Sequence, residues 1–220
     1  MEAKKIIITG GATRIGSAIA KSLVSFETKI GIHFNKSKSS ALKLKKELEE
    51  LGAEAYLFKA DLNNFKQTET LIKKAYKTLK GLDCLVNNAS IFENDNLENF
   101  SEKSFTKHIN INLKSPAILT QNFKKLIKNK EGCIINIIDQ RVEKLTPFFF
   151  SYTLSKSSLA TFTKTSAMKL APNIRVNGIS PGPTLKNKRQ SERHFKKQWK
   201  STLLKSCLLY TSDAADDYRS

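Results

Sequence analysis

The fold is decided by the stretch KKIIITGGATRIG, residues 4–16. A short run of β-branched residues ends at Thr9, and two glycines follow it. A helical pattern then begins, with apolar residues from Ile15 to Leu23 recurring on one face. Strand, glycine turn and helix in this order predict the first half of a βαβ unit.

The same alternation continues along the chain. Strands are predicted over residues 4–9, 29–34, 54–59, 82–86, 132–138 and 174–178, and helices over about 39–51, 64–79, two stretches ending near 128, and 151–170. Strands separated by single helices need right-handed crossovers, so the pattern predicts an α/β fold with a doubly wound, mostly parallel Rossmann-type sheet. A length of 220 residues, 40% of them hydrophobic, fits a single domain.

The chain is strongly basic, with a formal net charge of +18. Such a surface can attract nucleic acid, acidic membrane or phosphorylated small molecules. The lysines are spread over almost every predicted helix and are not interleaved with aromatic residues, which disfavours specific nucleic-acid binding.

Other compositional features favour a cytoplasmic location. No apolar run approaches the roughly 18 residues of a membrane-spanning helix, and no secretion signal opens the chain. Cys84, Cys133 and Cys207 lack metal-ligand or CxxC spacing. Reduced thiols and no metal site are therefore expected.

The turn TGGATRIG, residues 9–16, predicts a dinucleotide site. Its glycines permit a tight turn and close approach of the backbone to a pyrophosphate, and the helix N-terminus offers unpaired N–H groups. The second strand ends at HFNKS, residues 33–37, where an NAD enzyme would carry an acid. Arg14, Lys36 and Ser37 instead suit a 2′-phosphate, so NADPH is favoured over NADH. The alternative is that Lys36 is one more surface lysine.

The stretch YTLSK places Tyr152 and Lys156 at i and i+4 on one helix face. The nearby cation is expected to lower the pKa of Tyr152, which makes proton transfer feasible. A YxxxK pattern alone is common enough to arise by chance. Here it follows by 13 residues Asp139, which ends the apolar strand GCIINII. A helix-capping or loop role is the alternative for Asp139.

Taken together, these motifs resemble those of the short-chain dehydrogenase/reductase family, over Lys5 to about Thr184. Arg14 stands in place of the middle glycine of the family's TGxxxGxG turn, and Asp139 in place of its usual catalytic serine. Both departures resemble the pteridine reductase subgroup. Phe92 follows NNAS, residues 87–90, and resembles the aromatic residue that stacks the pterin in that subgroup, with a core phenylalanine as the alternative.

The resemblance implies a set of site residues, with no metal among their ligands. The catalytic residues are Asn112, Asp139, Tyr152 and Lys156, and Asn112 is implied to kink a helix and hold a relay water. The cofactor-binding residues are Gly10, Arg14, Ile15, Gly16, Asn35, Lys36, Ser37, Asp61, Leu62, Asn88, Ala89, Tyr152, Lys156, Pro181 and Gly182. The substrate-binding residues are Ser90, Phe92, Asp139 and Tyr152.

The expected activity is transfer of a hydride from NADPH to the C=N bond of a dihydropterin or dihydrofolate. A carboxylic acid at Asp139 suits proton delivery to or near a ring nitrogen. A generic carbonyl or 3-oxoacyl-thioester reductase is the alternative, and a non-catalytic NADP-binding or nucleic-acid-binding protein is an alternative of a different class. For the untruncated parent protein, the resemblance also implies a homotetramer that pairs helices near 101–129 and 151–170.

The last stretch, CLLYTSDAADDYRS, has no periodicity and switches from basic to acidic. It resembles the conceptual translation of a transposase-type sequencing-library adapter. The expected organisation is a reductase domain over 1–206, truncated before the family's seventh strand, and a non-native tail over 207–220. A natural disordered acidic tail is the alternative.

Overall fold

A computed structural model of the chain describes residues 4–25, 27–184 and 191–200. The chain divides into two compact units, residues 1–179 and 180–220. Of the second unit, residues 180–184 and one helix, α7 (Glu192–Lys200), are described. The predicted tail over 207–220 and the predicted boundary at 206 lie outside the described residues.

One parallel sheet organises the first unit. Its strands are β1 (Lys5–Ile8), β2 (Lys29–Phe34), β3 (Glu54–Lys59), β4 (Cys84–Asn87), β5 (Gly132–Ile137) and β6 (Ile174–Ile179). They lie in the order β3-β2-β1-β4-β5-β6, and every neighbouring pair is parallel. This confirms the predicted doubly wound sheet. The order reverses between β1 and β4, which is where open α/β sheets bind ligands at the carboxyl ends of their strands.

Six helices connect these strands. They are α1 (Arg14–Ser22), α2 (Lys38–Glu50), α3 (Phe65–Leu79), α4 (Glu102–Ile109), α5 (Ser115–Ile127) and α6 (Phe150–Leu170). The bounds predicted for helices and strands agree with these to within two residues. Local capping contributes to this agreement, since Asn64 accepts a hydrogen bond from the backbone N–H of Gln67 at 3.0 Å and so begins α3.

Apolar side chains cover both faces of the sheet. On one face α3 and α5 pack against the strands through Leu71, Ile72, Leu119, Phe123, Ile7, Leu85 and Ile134. On the other face α1 and α2 do so through Ala20, Leu44, Leu48, Ile6, Ile8 and Ile32. Burial on both faces explains why these strands are continuous apolar runs. It also fixes the strand ends from which the site residues project.

Helices α4 and α5 are joined by a single π-helical turn, Asn110–Lys114. Asn112 lies at its centre and is fully buried. The interruption expected at Asn112 therefore takes the form of a wide turn, a feature often found at functional sites.

Cys84 and Cys133 are register partners on β4 and β5, although their separation in sequence gave no indication of contact. Both are free thiols. In the described ranges no group of three or more His, Cys, Asp or Glu residues is arranged to hold a metal ion. Of the helices described, none combines the length and apolar character needed to cross a membrane.

Candidate active site

The turn after β1 is closely packed against the end of β4. Gly10 has a φ of +59°, and a Cβ atom there would lie 2.9 Å from the Cα of Ala89. A Cβ atom on Gly16 would overlap the carbonyl oxygen of Gly10. Neither position tolerates a side chain, so the sequence predicted this turn correctly from its glycines.

Arg14 has a φ of +52° and is exposed at the first residue of α1. The left-handed region costs a non-glycine residue about 1–2 kcal/mol. The backbone thus keeps the conformation that glycine would adopt, while the side chain adds a cation beside the turn. Ile15 is half-buried in the same helical turn.

Thr9 connects the turn to the end of β4. Its hydroxyl oxygen accepts hydrogen bonds from the backbone N–H groups of Asn88 and Ala89, both at 3.0 Å. The Asn88 side-chain amide donates to the carbonyl oxygens of Thr9 and Gly10, at 2.9 and 3.1 Å. The predicted residues Asn88 and Ala89 therefore lie against the glycine turn, and Thr9, to which the sequence analysis gave no role, holds them there.

His33 is a second residue whose role the sequence did not reveal. Its Nδ1 accepts the backbone N–H of Gly10 at 3.0 Å, and its Nε2 is 3.1 Å from the carbonyl oxygen of Ala60. Burial lowers the pKa of His33 to about 4, although the Ala60 carbonyl and Asp61 oppose the shift. A neutral imidazole thus connects the carboxyl ends of three strands and holds Gly10 in place.

The other predicted cofactor residues follow their strands as expected. Asn35 and Lys36 are exposed after β2, and Ser37 is the N-cap residue of α2, whose first turn carries no acid. After β3, Asp61 accepts a hydrogen bond from the Asn63 backbone N–H at 2.9 Å, and Leu62 is buried. Pro181 and Gly182 belong to the second unit, so their place beside the nicotinamide stays a prediction.

Tyr152 and Asp139 are brought together directly. The Tyr152 hydroxyl donates a hydrogen bond to Oδ2 of Asp139 at 2.6 Å. Burial, the Asp139 charge and this hydrogen bond raise the pKa of Tyr152 well above its ordinary value, and Arg141 and Ser90 oppose the shift only in part. The expectation of a lowered Tyr152 pKa is therefore wrong. The i, i+4 spacing indicated that Lys156 is close to Tyr152, but it indicated neither the burial of Tyr152 nor its contact with Asp139.

Lys156 is 2% exposed and lies beneath the Tyr152 ring, with Nζ 5.9 Å from the ring centroid. Its ammonium group donates a hydrogen bond to the carbonyl oxygen of Ile137 at 2.7 Å. Burial lowers the pKa of Lys156 to about 8, and the negative charge of Asp139 counteracts part of that shift. The ammonium group is therefore held in one position, and its pKa lies close to physiological pH.

Asn112 is fully hydrogen-bonded within the site. Its Oδ1 accepts from the backbone N–H of Ile91 at 2.9 Å and from the Ser90 hydroxyl at 3.1 Å. Its amide donates to the carbonyl oxygen of Ile91 and to the Ser155 hydroxyl, at 3.1 and 3.0 Å. Asn112 thus joins the loop after β4, which carries Ser90 and Phe92, to the helix that carries Tyr152.

Two aromatic rings and a guanidinium border the Tyr152 ring. Phe92 packs edge-to-face with Tyr152 at a centroid distance of 4.6 Å and stacks parallel to Phe149 at 4.2 Å. Phe149 reaches this position with a φ of +60° at the N-cap of α6. The Arg141 guanidinium lies 4.6 Å from the Phe149 ring centroid and 5.6 Å from that of Phe92. Phe92 was predicted, whereas Phe149 and Arg141 carry no motif and were missed.

Asp95 anchors the loop after β4 to the start of α6. Its carboxylate accepts hydrogen bonds from the Ser151 backbone N–H at 3.0 Å, the Ser151 hydroxyl at 2.5 Å and the Ser104 hydroxyl at 3.1 Å. Burial, which raises the pKa of Asp95, is outweighed by these bonds, so that its pKa lies below the ordinary value. The negative charge also suits the N-terminus of α6. No sequence pattern indicates Asp95, because its partner Ser151 lies far along the chain.

Residues 4–197 match a family model described as short chain dehydrogenase. The FolM alternative dihydrofolate reductase 1 from Brucella canis, solved in complex with NADP, is 39% identical with a TM-score of 0.87, over 92% of this chain and 80% of that protein. The same enzyme from Brucella suis, also with NADP, is 39% identical with a TM-score of 0.88, over 93% and 82%. A 3-oxoacyl-[acyl-carrier-protein] reductase from Synechocystis is 30% identical over 83% of this chain and 74% of its own length.

Proposed function

This chain belongs to the short-chain dehydrogenase family, and from that premise we propose that it is an NADPH-dependent reductase acting on the C=N bond of a dihydropteridine. The observation that carries the proposal is the 2.6 Å hydrogen bond from Tyr152 to Asp139 beside the stacking surface of Phe92. The Brucella enzymes described as alternative dihydrofolate reductases support the same substrate class.

The residues after β1 and β2 fit NADPH. The glycine turn leads directly into the N-terminus of α1, whose unpaired backbone N–H groups suit a pyrophosphate. Arg14, Lys36 and Ser37 supply cations and a hydroxyl for the 2′-phosphate, and α2 has no acid in its first turn that would repel it. When bound, NADPH supplies the hydride for the reduction.

The proton for the reduction comes from a group of three side chains: Tyr152, Asp139 and Lys156. The raised pKa of Tyr152 keeps its hydroxyl protonated, and the Asp139 carboxyl that accepts its hydrogen bond is only half-buried. A proton on Asp139 can be shared with Tyr152 through their short hydrogen bond. This pair follows the end of β5, and the Tyr152 ring contacts Phe92. The buried ammonium of Lys156 stabilises negative charge left on this pair.

A carbonyl or 3-oxoacyl reductase is the second candidate, because the Synechocystis relative bears that description. Carbonyl reduction requires a Tyr152 hydroxyl aimed at the carbonyl oxygen. Here that hydroxyl donates to Asp139. The geometry therefore favours the dihydropteridine reading over the carbonyl one.

Turnover tests the proposal. Consumption of NADPH would be followed with dihydrobiopterin, dihydrofolate and a panel of ketones and 3-oxoacyl thioesters. We expect turnover of the reduced pterins and its loss in Asp139→Ala, with Glu143→Ala, an exposed acid on the same loop, as the matched control. Turnover of ketones or thioesters alone would refute the substrate assignment.

Assembly and location remain proposals too. Leu154 and Met168 expose 40% and 82% of their surface on α6, one of the helices expected to pair in a homotetramer. Sedimentation of the full-length natural protein tests that assembly, and a stable monomer would refute it. A cytoplasmic location stays a prediction.

A further inference from the structure

Asp139 fixes the position of Arg141 as well as that of Tyr152. Its Oδ1 accepts the backbone N–H of Arg141 at 2.8 Å, while its Oδ2 accepts the Tyr152 hydroxyl. The bond to Arg141 caps the short 3-10 turn Gln140–Val142, which follows β5. The Arg141 side chain therefore begins two residues from the acid and is held by it.

The Arg141 guanidinium is placed over the aromatic pair. It lies 4.6 Å from the Phe149 ring centroid and 5.6 Å from that of Phe92. It is close enough to Tyr152 for its positive charge to act on the Tyr152 hydroxyl. The guanidinium therefore lies within the candidate active site, close to the Phe92 and Phe149 rings and to the Tyr152 hydroxyl.

The residues that the structure describes use little of the hydrogen-bonding capacity of Arg141. A guanidinium carries five N–H donors. In the described parts of the chain its one side-chain hydrogen bond is donated to the Thr146 hydroxyl at 3.0 Å. No salt bridge among the described residues includes Arg141. Arg141 is half-buried beside the aromatic pair and has no carboxylate partner among those residues, so it is suited to bind an anion of the substrate.

We infer that Arg141 recognises an anionic substituent of the substrate, so that the preferred substrates are reduced pterins with an acidic side chain. This inference rests on the proposed function. The planar guanidinium fork fits a carboxylate and a phosphate equally well. The group that Arg141 binds is therefore an oxyanion on the side chain of the pterin, and an experiment decides between a carboxylate and a phosphate.

Two matched pairs of substrates test the inference. Dihydroneopterin monophosphate is paired with dihydroneopterin, and dihydrofolate with its diester, in which both carboxylates are masked. The readout is the ratio of kcat/KM for the acidic member to that for the neutral member. Any effect of Arg141 on the pKa of Tyr152 changes both members alike and cancels in this ratio.

A charge-assisted hydrogen bond corresponds to a factor of roughly 10 to 100 in affinity. We expect a ratio of about that size in the wild-type protein for at least one pair, and a fall to near unity in Arg141→Met, which keeps the aliphatic stem. Arg141→Lys, which keeps the charge, should recover part of the ratio. Lys144→Met removes an exposed cation from the same loop and should leave the ratio unchanged.

The outcomes separate the inference from the proposed function. A preference for the phosphate pair or for the folate pair identifies the oxyanion. Equal ratios in wild type and Arg141→Met, with turnover of the neutral pterins intact, would overturn the inference alone. Absence of turnover of all four compounds by a wild-type protein that binds NADPH would overturn the proposed function and the inference with it.

Discussion

Replacing Lys156 with methionine measures how much stability the buried cation costs. The pKa of Lys156 falls from 10.5 to about 8 on folding, because burial disfavours the charged ammonium. That difference corresponds to roughly 3 kcal/mol against the charged form. Methionine has a similar shape and no charge, but it leaves the Ile137 carbonyl oxygen without its 2.7 Å donor, which costs about 1 kcal/mol. Lys156→Met should therefore be more stable than wild type by about 2 kcal/mol at neutral pH, and inactive.

The pH dependence has a defined sign. The folded pKa lies below the unfolded one, so the cost of the charge is full below about pH 8 and disappears as the pH rises towards 10.5. Urea unfolding between about pH 7 and pH 10 should show the advantage of Lys156→Met shrinking with rising pH. Lys164→Met, at an exposed position of the same helix, should differ little from wild type throughout. A Lys156→Met advantage that is constant over this range, or absent at pH 7, would show that burial of the charge does not cost this stability.

Three further substitutions test the supporting contacts. Arg14→Gly relieves a φ of +52° and should stabilise the fold by about 1 kcal/mol while raising the KM for NADPH roughly tenfold. Unfolding and NADPH titration measure these effects, and an unchanged KM would exclude a phosphate contact. His33→Asn removes an imidazole whose pKa drops from 6.5 to about 4 on folding. The free energy of unfolding of the wild type should therefore decrease by up to roughly 3 kcal/mol as the pH falls from 6.5 towards 4, and that of the variant should not. Equal acid sensitivity in equilibrium unfolding would contradict that role. Asp95→Ala leaves the Ser151 and Ser104 donors without their acceptor. It should lower the free energy of unfolding by about 2 kcal/mol and reduce kcat. An unchanged kcat would show that Asp95 does not position Tyr152.

The architecture could be predicted because its signals are local. Continuous apolar strands such as GCIINII indicate burial on both faces, and glycine or asparagine marks where several helices begin or end. Since the carboxyl ends of parallel strands share one edge, the motifs that follow β1, β2 and β4 meet there.

The contacts between distant segments could not be predicted in the same way. His33 and Asp95 act through partners on other elements, and neither belongs to a pattern of spacing. The i, i+4 relation of Tyr152 and Lys156 was correct, yet the raised Tyr152 pKa follows from burial and from Asp139, which only the folded chain brings within 2.6 Å. Arg141 was missed because an arginine in a loop of a chain with 38 Lys and Arg residues carries no signal of its own.

The central claim is that Asp139 and Tyr152 together supply the proton for C=N reduction. The most direct measurement compares kcat/KM for a dihydropterin and for a ketone in wild type, Asp139→Ala and Asp139→Ser, with NADPH binding as the check on folding. We expect dihydropterin turnover to fall in both variants by about a hundredfold or more, since general acid catalysis contributes a factor of this order. Dihydropterin turnover that survives in Asp139→Ala would contradict it.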